Sequence, residues 1–269
     1  MILKKGACVA SGRSGSFDSP LPACYDGFVF DRILSRFVDL LYPHACIICQ
    51  KTFPGHNKSA IFCNECRELF VPNIPPICRR CSRPLEPSLR FPTCADCARN
   101  PPHFDKAWAA YRYQEPVRRL IFQFKYGQMT LLRHGFERLL FDYLQANQIE
   151  LSHFHFVVPM PLSTARLRER GFNQAQFLAQ SVGQHFQIPL ENDNLLRSRH
   201  TRFQATLSPK DRFTNVEGAF RIKYPRRFFG KAVLLVDDLL TTGATASEAS
   251  LLLKMAGAKN VSVLTLAVA

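Results

Sequence analysis

The sequence predicts an α/β fold, a parallel sheet with helices on both faces, preceded by a small cysteine-rich domain. Three observations carry this. From about residue 103 onward, short apolar runs alternate with stretches of helical periodicity. The runs KAVLLVDD and VSVLTLAVA are apolar on both sides, as strands of a buried parallel sheet are. Ahead of them, eight of the ten cysteines fall into four C-x-x-C pairs between residues 46 and 97.

Taken in order, residues 1–27 read as a loosely ordered extension. They begin MILKKGACVASGRSGS, with bases but no apolar stretch that would make an export signal or a lipidation site of Cys8. FDRILSRFVDLLYP has apolar residues at 30, 33, 34, 37, 38, 40 and 41, the spacing of an amphipathic helix stopped by Pro43. The pairs Cys46/Cys49, Cys63/Cys66, Cys78/Cys81 and Cys94/Cys97 follow. Each tight turn offers two thiolates to one metal, with backbone N–H groups directed at sulfur, and two pairs complete the tetrahedral S₄ shell that suits zinc. Disulfides belong to exported chains and a lone C-x-x-C to redox chemistry, while iron–sulfur ligation stays open with a less typical spacing. Two structural zinc ions are therefore expected, the first pair closing with the second and the third with the fourth, because those loops are shorter. His44 and His56 are expected to face solvent. The segment is too poor in apolar residues to fold unaided. Zinc supplies roughly 10–16 kcal/mol of apparent binding free energy to such sites.

The helix and the ribbons make a domain over residues 28–102, and residues 103–269 a second one. In the second, DKAWAAYRYQ suggests a strand or strand pair. EPVRRLIFQFKYGQ reads as a helix with Pro116 at its start and a turn at Gly127. MTLLRHGFERLLFDYLQANQ continues with Leu132, Phe136, Leu139, Leu140, Tyr143 and Leu144 at helical spacing. HFVVPMP is a short strand ended by prolines, GFNQAQFLAQSVGQHF a helix, and GATASEASLLLKMAG the helix between the last two strands.

Composition narrows the function classes. A hydrophobic fraction of 46% argues against disorder, and no apolar run approaches the length of a membrane span. The net charge is +14, and residues 161–231 hold 13 Lys/Arg against 5 Asp/Glu. Such a surface attracts phosphate, in a nucleotide or a nucleic acid, or is simply a solvated basic face. Phe62, Phe70, Phe91 and Phe104 lie among ribbon bases including Arg79, Arg80 and Arg83. Base stacking and packing onto the second domain are both open to these rings.

The stretch VLLVDDLLTTGAT, residues 233–245, concentrates the chemistry. A buried strand ends on Asp237 and Asp238, which is costly unless a ligand or cation meets them. They are suited to accept hydrogen bonds from vicinal hydroxyls. Thr241, Thr242, Gly243, Ala244 and Thr245 then enter a helix whose free N–H groups and dipole favour phosphate. Thr245 and Glu248 have capping-box spacing. Ligands of such sheets bind beyond the carboxyl ends of the strands, and two ends carry chemistry, VVPMP and LLVDD.

These thirteen residues closely resemble the phosphoribosyl-pyrophosphate (PRPP) signature of type I phosphoribosyltransferases. More narrowly, PMPLSTARLRERGFNQAQFLA, FQFKYG, RHTRFQATLSPKDRFTNVEGAF and the four C-x-x-C pairs resemble the ComF/GntX family across residues 28–269. Those proteins are associated with DNA uptake in transformation and with use of external DNA. The resemblance implies a type I phosphoribosyltransferase fold in which Asp237 and Asp238 bind the ribose hydroxyls and act as the catalytic acids. Leu239 and Leu240 would lead into the 5′-phosphate loop at 241–245. Met160, Pro161, Leu162 and Ser163 would form the pyrophosphate loop. Arg166, Arg168 and Arg170 would neutralise diphosphate, or else begin a solvated helix. Asn173 and Gln174 would cap the next helix or touch ligand. Lys125 and Tyr126 would close the site, with Tyr126 equally suited to the core. The insertion between Asn194 and Phe220 would supply a hood bearing Arg199, Gln204, Arg212 and Asn215, or be a plain surface loop. Magnesium would accompany PRPP, and no acceptor site is identifiable.

The expected function is a PRPP-binding, DNA-handling protein of the cytoplasm that contacts single-stranded DNA and works with a competence helicase. Such partners would bring it to the inner face of the membrane without insertion. The alternatives are an active phosphoribosyltransferase with an unknown acceptor, and a zinc-ribbon adaptor with a vestigial transferase fold. The intact acid pair and loop count against the last.

Overall fold

Four parallel strands make the central sheet, in the order Lys106–Arg112, Asn260–Val268, Ala232–Leu240, Phe156–Pro159. The computed structural model describes residues 45–52, 61–88, 91–127, 131–198 and 218–269. The helix expected over 30–41, Cys8, Cys24, His44, His56 and most of the expected hood, with Arg199, Gln204, Arg212 and Asn215, lie outside the described residues. In chain order the elements are α1 (Asn64–Glu68), α2 (Ala95–Arg99), β1 (Lys106–Arg112), α3 (Val117–Tyr126), α4 (Leu132–Ala146) and β2 (Phe156–Pro159). There follow α5 (Thr164–Arg170), α6 (Gln174–Phe186), β3 (Leu195–Arg197), β4 (Phe220–Ile222), β5 (Ala232–Leu240), α7 (Ala244–Met255) and β6 (Asn260–Val268).

Both faces of the sheet are covered, which is why its strands read as continuous apolar runs. On one face Val157, Leu234, Val236, Leu264 and Leu266 pack with α3, α4 and α6 through residues such as Phe124, Phe136, Leu140 and Leu178. On the other, Val158, Val233, Leu235, Val261 and Val263 meet Ala246, Ala249 and Leu253 of α7, together with Phe104 and Phe228. The aromatic run DKAWAAYRYQ forms one strand. Its outer edge is covered by the segment between the ribbons: Arg112 N–H donates to the Val71 carbonyl and Asn73 N–H to that of Ala110. Buried Asn73 ties the same junction through Nδ2, which donates to the Ser82 carbonyl at 2.8 Å and to Ser82 Oγ at 3.0 Å. An uncovered edge strand would invite pairing with another chain.

The strand carrying the acid pair runs further than the sequence suggests. β5 continues through Leu239 and Leu240, which pair with Ala267 and Val268 of β6, so the acids lie inside the strand rather than at its end. Leu234, Val236 and Leu239 pack in one cluster, and Val233, Leu235 and Leu240 in the other. The alternation thus loses a step across Asp237–Asp238. Strict alternation would send adjacent side chains to opposite faces; here both reach the same cavity.

Caps set the helices that border this edge. Ser163 Oγ accepts from Arg166 N–H at the start of α5, and Gly171, at φ +77°, ends it. Asn173 Oδ1 accepts from Ala175 N–H to start α6, the capping role among those expected of it. The expected capping box at Thr245 and Glu248 does not form. Gly243, at φ +80°, is itself the cap and α7 begins at Ala244. The Glu248 carboxylate instead accepts from Gly218 N–H at 2.7 Å, where the chain returns into β4. β3 and β4 pair antiparallel, Leu196 opposite Arg221, at the base of the expected hood.

Candidate functional site

A cavity of about 400 Å³ opens at the carboxyl edge of the sheet. β5 supplies Asp237 to Leu240, and the turn after it supplies Thr241, Gly243 and Thr245. The turn after β2 supplies Met160, Pro161 and Leu162, and α3 supplies Phe122, Lys125 and Tyr126. Arg166 and Arg170 of α5 and Arg197 of β3 complete a cationic wall.

The acids are electrostatically unequal. Asp238 is 6% exposed, and its Oδ2 meets Lys125 Nζ at 2.6 Å. Burial, and next the neighbouring Asp238 charge, push the Asp237 carboxyl up to about 8, against the pull of Lys125. Asp237 Oδ1 accepts from the Asp238 N–H at 2.8 Å. A pocket that holds one carboxylate against an ammonium and disfavours charge on its neighbour fits a ligand that donates hydrogen bonds there. Vicinal hydroxyls are such donors.

The arginines crowd one another on the opposite side. Burial, then Arg170, lowers the Arg166 guanidinium from its ordinary value. Burial, then Arg166, brings Arg197 down to about 10, with Asp237 opposing. At about 10, Arg197 stays a cation at neutral pH. Arg170 is 9% exposed; it donates to Tyr126 Oη at 3.0 Å and Gln174 Oε1 at 3.2 Å, and lies over the Tyr126 ring at 4.9 Å. Its Nε has no hydrogen-bond partner. Like charges this close favour an anion between them.

Of the expected site residues, Lys125, Pro161, Leu162, Arg166, Arg170, Asp237, Asp238, Leu239, Leu240, Thr241, Gly243 and Thr245 line the cavity. Ser163 is buried as the α5 cap, and Arg168 is exposed with Nε donating to the Thr164 carbonyl. Thr242 Oγ1 accepts from Ala244 N–H, a local bond within the turn. Among the lining residues that escaped the sequence reading are Arg197, Tyr113 and Phe122. Arg197 sits in no motif. Phe122, 60% exposed, was legible from spacing, because 122, 125 and 126 share one face of a helix.

The cysteines form two clusters, Cys46/Cys49/Cys63/Cys66 and Cys78/Cys81/Cys94/Cys97, each with its sulfurs within 4.8 Å of one another. Tetrahedral zinc with Zn–S near ~2.3 Å puts sulfurs about 3.8 Å apart. Cys49 Sγ to Cys63 Sγ and Cys81 Sγ to Cys94 Sγ both measure 3.7 Å. Backbone amides point at sulfur as expected: Cys94 N–H reaches Cys78 Sγ at 3.3 Å. Burial opposes ionisation of Cys46, yet the backbone N–H groups of Cys49, Cys63 and Ile48 carry it down to about 6. The clusters fit two structural zinc ions held in closed shells. Phe70 and Phe104 are buried, Phe62 packs against the core, and Phe91 is 73% exposed, so it alone of the four rings stands open to solvent.

Comparison with known proteins agrees with this arrangement. Residues 37–98 match the double zinc ribbon domain family. The chain is 32% identical to Competence protein F of Haemophilus influenzae over 227 residues, covering 82% of this chain and 96% of that protein. It is 29% identical to DNA utilization protein YhgH of Escherichia coli K12, covering 83% and 96%. It is 27% identical over 241 residues to Competence protein ComFC of Streptococcus pneumoniae, covering 82% and 98%. Matched along almost the full length of Competence protein F and carrying paired Cys₄ clusters ahead of a parallel sheet, this chain belongs to the ComF family.

Proposed function

We propose that the cavity binds PRPP or a related ribose phosphate, and that the protein serves DNA uptake or use of external DNA and contacts single-stranded DNA. One observation carries the ligand assignment: an acid pair, a glycine turn at a helix N-terminus and a cluster of arginines meet in one cavity. Asp237 and Asp238 accept the ribose hydroxyls. Residues 241–245 receive the 5′-phosphate at the start of α7, and Arg166 and Arg170 take the pyrophosphate. Magnesium, which takes one or two carboxylates together with substrate phosphates and keeps several waters, enters bound to the ligand's pyrophosphate. The names of the relatives, two for competence and one for DNA utilization, support the biological role. The net charge of +14 supports contact with single strands, and a competence helicase is the proposed partner.

A second reading, turnover as a phosphoribosyltransferase, is favoured by the aromatic side of the cavity. Tyr113 and Phe122 line the same cavity as the acids and would supply rings on which an incoming base stacks. The chemistry would be displacement at the ribose C1′. The chain's arginines would stabilise departing pyrophosphate, and its acids the cationic character gained by the sugar.

The test is calorimetric titration of the zinc-loaded protein with PRPP and magnesium, with and without a single-stranded oligonucleotide. Saturable binding that is lost in the Asp237→Asn/Asp238→Asn variant, with its fold intact, is expected. Unchanged affinity in that variant removes the ribose assignment. Pyrophosphate release on adding candidate bases would establish the second reading.

A further inference from the structure

The turn that precedes α7 is held partly from outside the sheet. Arg83 lies two residues after Cys81 in the second ribbon, with its side chain 25% exposed. Its Nη1 donates to Asp96 Oδ2 of α2 at 2.7 Å, and its Nη2 reaches the carbonyl oxygen of Thr242 at 3.4 Å. Two contacts from the segment leading out of the ribbon into β1 bear on the same turn and helix. His103 N–H donates to Ser247 Oγ in α7 at 3.0 Å. The ring of Phe104 lies 3.6 Å from where a β-carbon on Gly243 would sit.

The backbone of Arg83 is fixed by the metal cluster. Cys78 N–H donates to the Arg83 carbonyl at 2.8 Å, and the Arg83 backbone N–H approaches the Cys81 sulfur. Cys78, Cys81 and Cys97 share an apolar cluster with Phe104, Leu240 and Ala246, which places this cluster against the start of α7. The first cluster docks elsewhere. Its helix α1 meets α4 through the Arg67–Asp142 ion pair, and Ile61 and Phe62 press on Gly135 of α4.

A trans peptide directs its C=O and its N–H to opposite sides. The carbonyl of Thr242 and the N–H of Gly243 belong to one peptide. Drawing that carbonyl toward the guanidinium turns the Gly243 N–H the other way, and Gly243 lines the cavity. The nearby cation also polarises the peptide toward an anion.

We propose that Arg83 is a positioning residue for the phosphate-binding turn, and that the second cysteine cluster, not the first, governs how tightly that turn holds a phosphate monoester. This rests on the ribose-phosphate reading of the cavity. Full-length zinc-loaded protein is titrated by calorimetry with two probes, ribose 5-phosphate and inorganic pyrophosphate. Arg83→Met weakens ribose 5-phosphate roughly tenfold, the scale of one charge-assisted hydrogen bond. It leaves pyrophosphate, which is assigned to Arg166 and Arg170, unchanged, with two zinc ions still bound per chain. Arg83→Lys restores part of the loss. Cys94→Ser weakens ribose 5-phosphate, whereas Cys49→Ser does not.

Equal loss for both probes in Arg83→Met, or no loss for ribose 5-phosphate, overturns the proposal, as does equal sensitivity to the two cysteine variants. Should Arg83→Met lose zinc, Asp96→Ala is read with the same two probes. It removes the carboxylate that holds the guanidinium beside the Thr242 carbonyl, and an unchanged ratio of affinities overturns the proposal. A wild-type chain that binds neither probe overturns the ribose-phosphate reading, and this inference with it. Binding by wild type with an insensitive Arg83 overturns this inference alone.

Discussion

Asp237 and Asp238 are adjacent carboxylates, and Lys125 pairs directly with the second, Nζ to Oδ2 at 2.6 Å, most of that pair being buried. Removing one partner of a buried ion pair leaves the other charge uncompensated, so Lys125→Met is expected to cost about 3 kcal/mol, measured by denaturant unfolding at neutral pH. Asp237 gives a signed pH dependence. Its carboxyl is raised from 3.8 to about 8, chiefly by burial. Between those values the folded chain holds a proton that the unfolded chain has released, so this group's contribution to stability falls as pH rises from about 4 to about 8. Asp237→Asn removes that slope. Unfolding curves for the two proteins at pH 5 and pH 8 are expected to converge at the acid end and part at the alkaline end, with the variant the more stable. A wild-type slope that persists in Asp237→Asn would show that another group carries it.

At the scale of elements, the two ribbons fold around sulfur and the sheet around apolar side chains. Cys46, Cys63 and Cys66 of the first cluster pack among themselves with Ile48, while Ile47, Ile61 and Phe62 beside them lean on the main core. Loss of one thiolate is expected to open the ribbon around the sulfurs. Cys63→Ser is expected to lower the metal content from two zinc ions per chain to one and to raise hydrogen exchange in residues 45–52 and 61–70. Protection of β5 and β6, whose apolar residues are buried on both faces, should be unchanged. Loss of protection in those strands would show instead that ribbon and sheet unfold together.

At the scale of the molecule, charge matters more than any single contact. The chain carries 35 Lys/Arg against 21 Asp/Glu. If it tracks single-stranded DNA through phosphates, log affinity should fall linearly with log salt, with a slope near −0.7 for each phosphate neutralised. Fluorescence anisotropy of a labelled oligonucleotide between about 50 and 200 mM salt reads this directly, and an affinity indifferent to salt would remove the electrostatic account. Among the described residues no helix is long and apolar enough to cross a membrane.

The sequence by itself determined what depends on local spacing and composition. The cysteine pairs fixed the two sulfur clusters, because each C-x-x-C turn places its own two ligands. The apolar runs around Val233 and Val261 fixed the buried strands, and the turn at Gly243 fixed the start of the last helix. Tertiary structure decided what depends on neighbours distant in the chain. Continued pairing with β6 carried β5 past the acids and brought both carboxylates to one cavity. The approach of Gly218 drew Glu248 away from a capping role. Packing of the second ribbon against α7 set Arg83 on the carbonyl of Thr242, 159 residues away. No periodicity reports such a contact, since it arises only when separate elements are buried against one another.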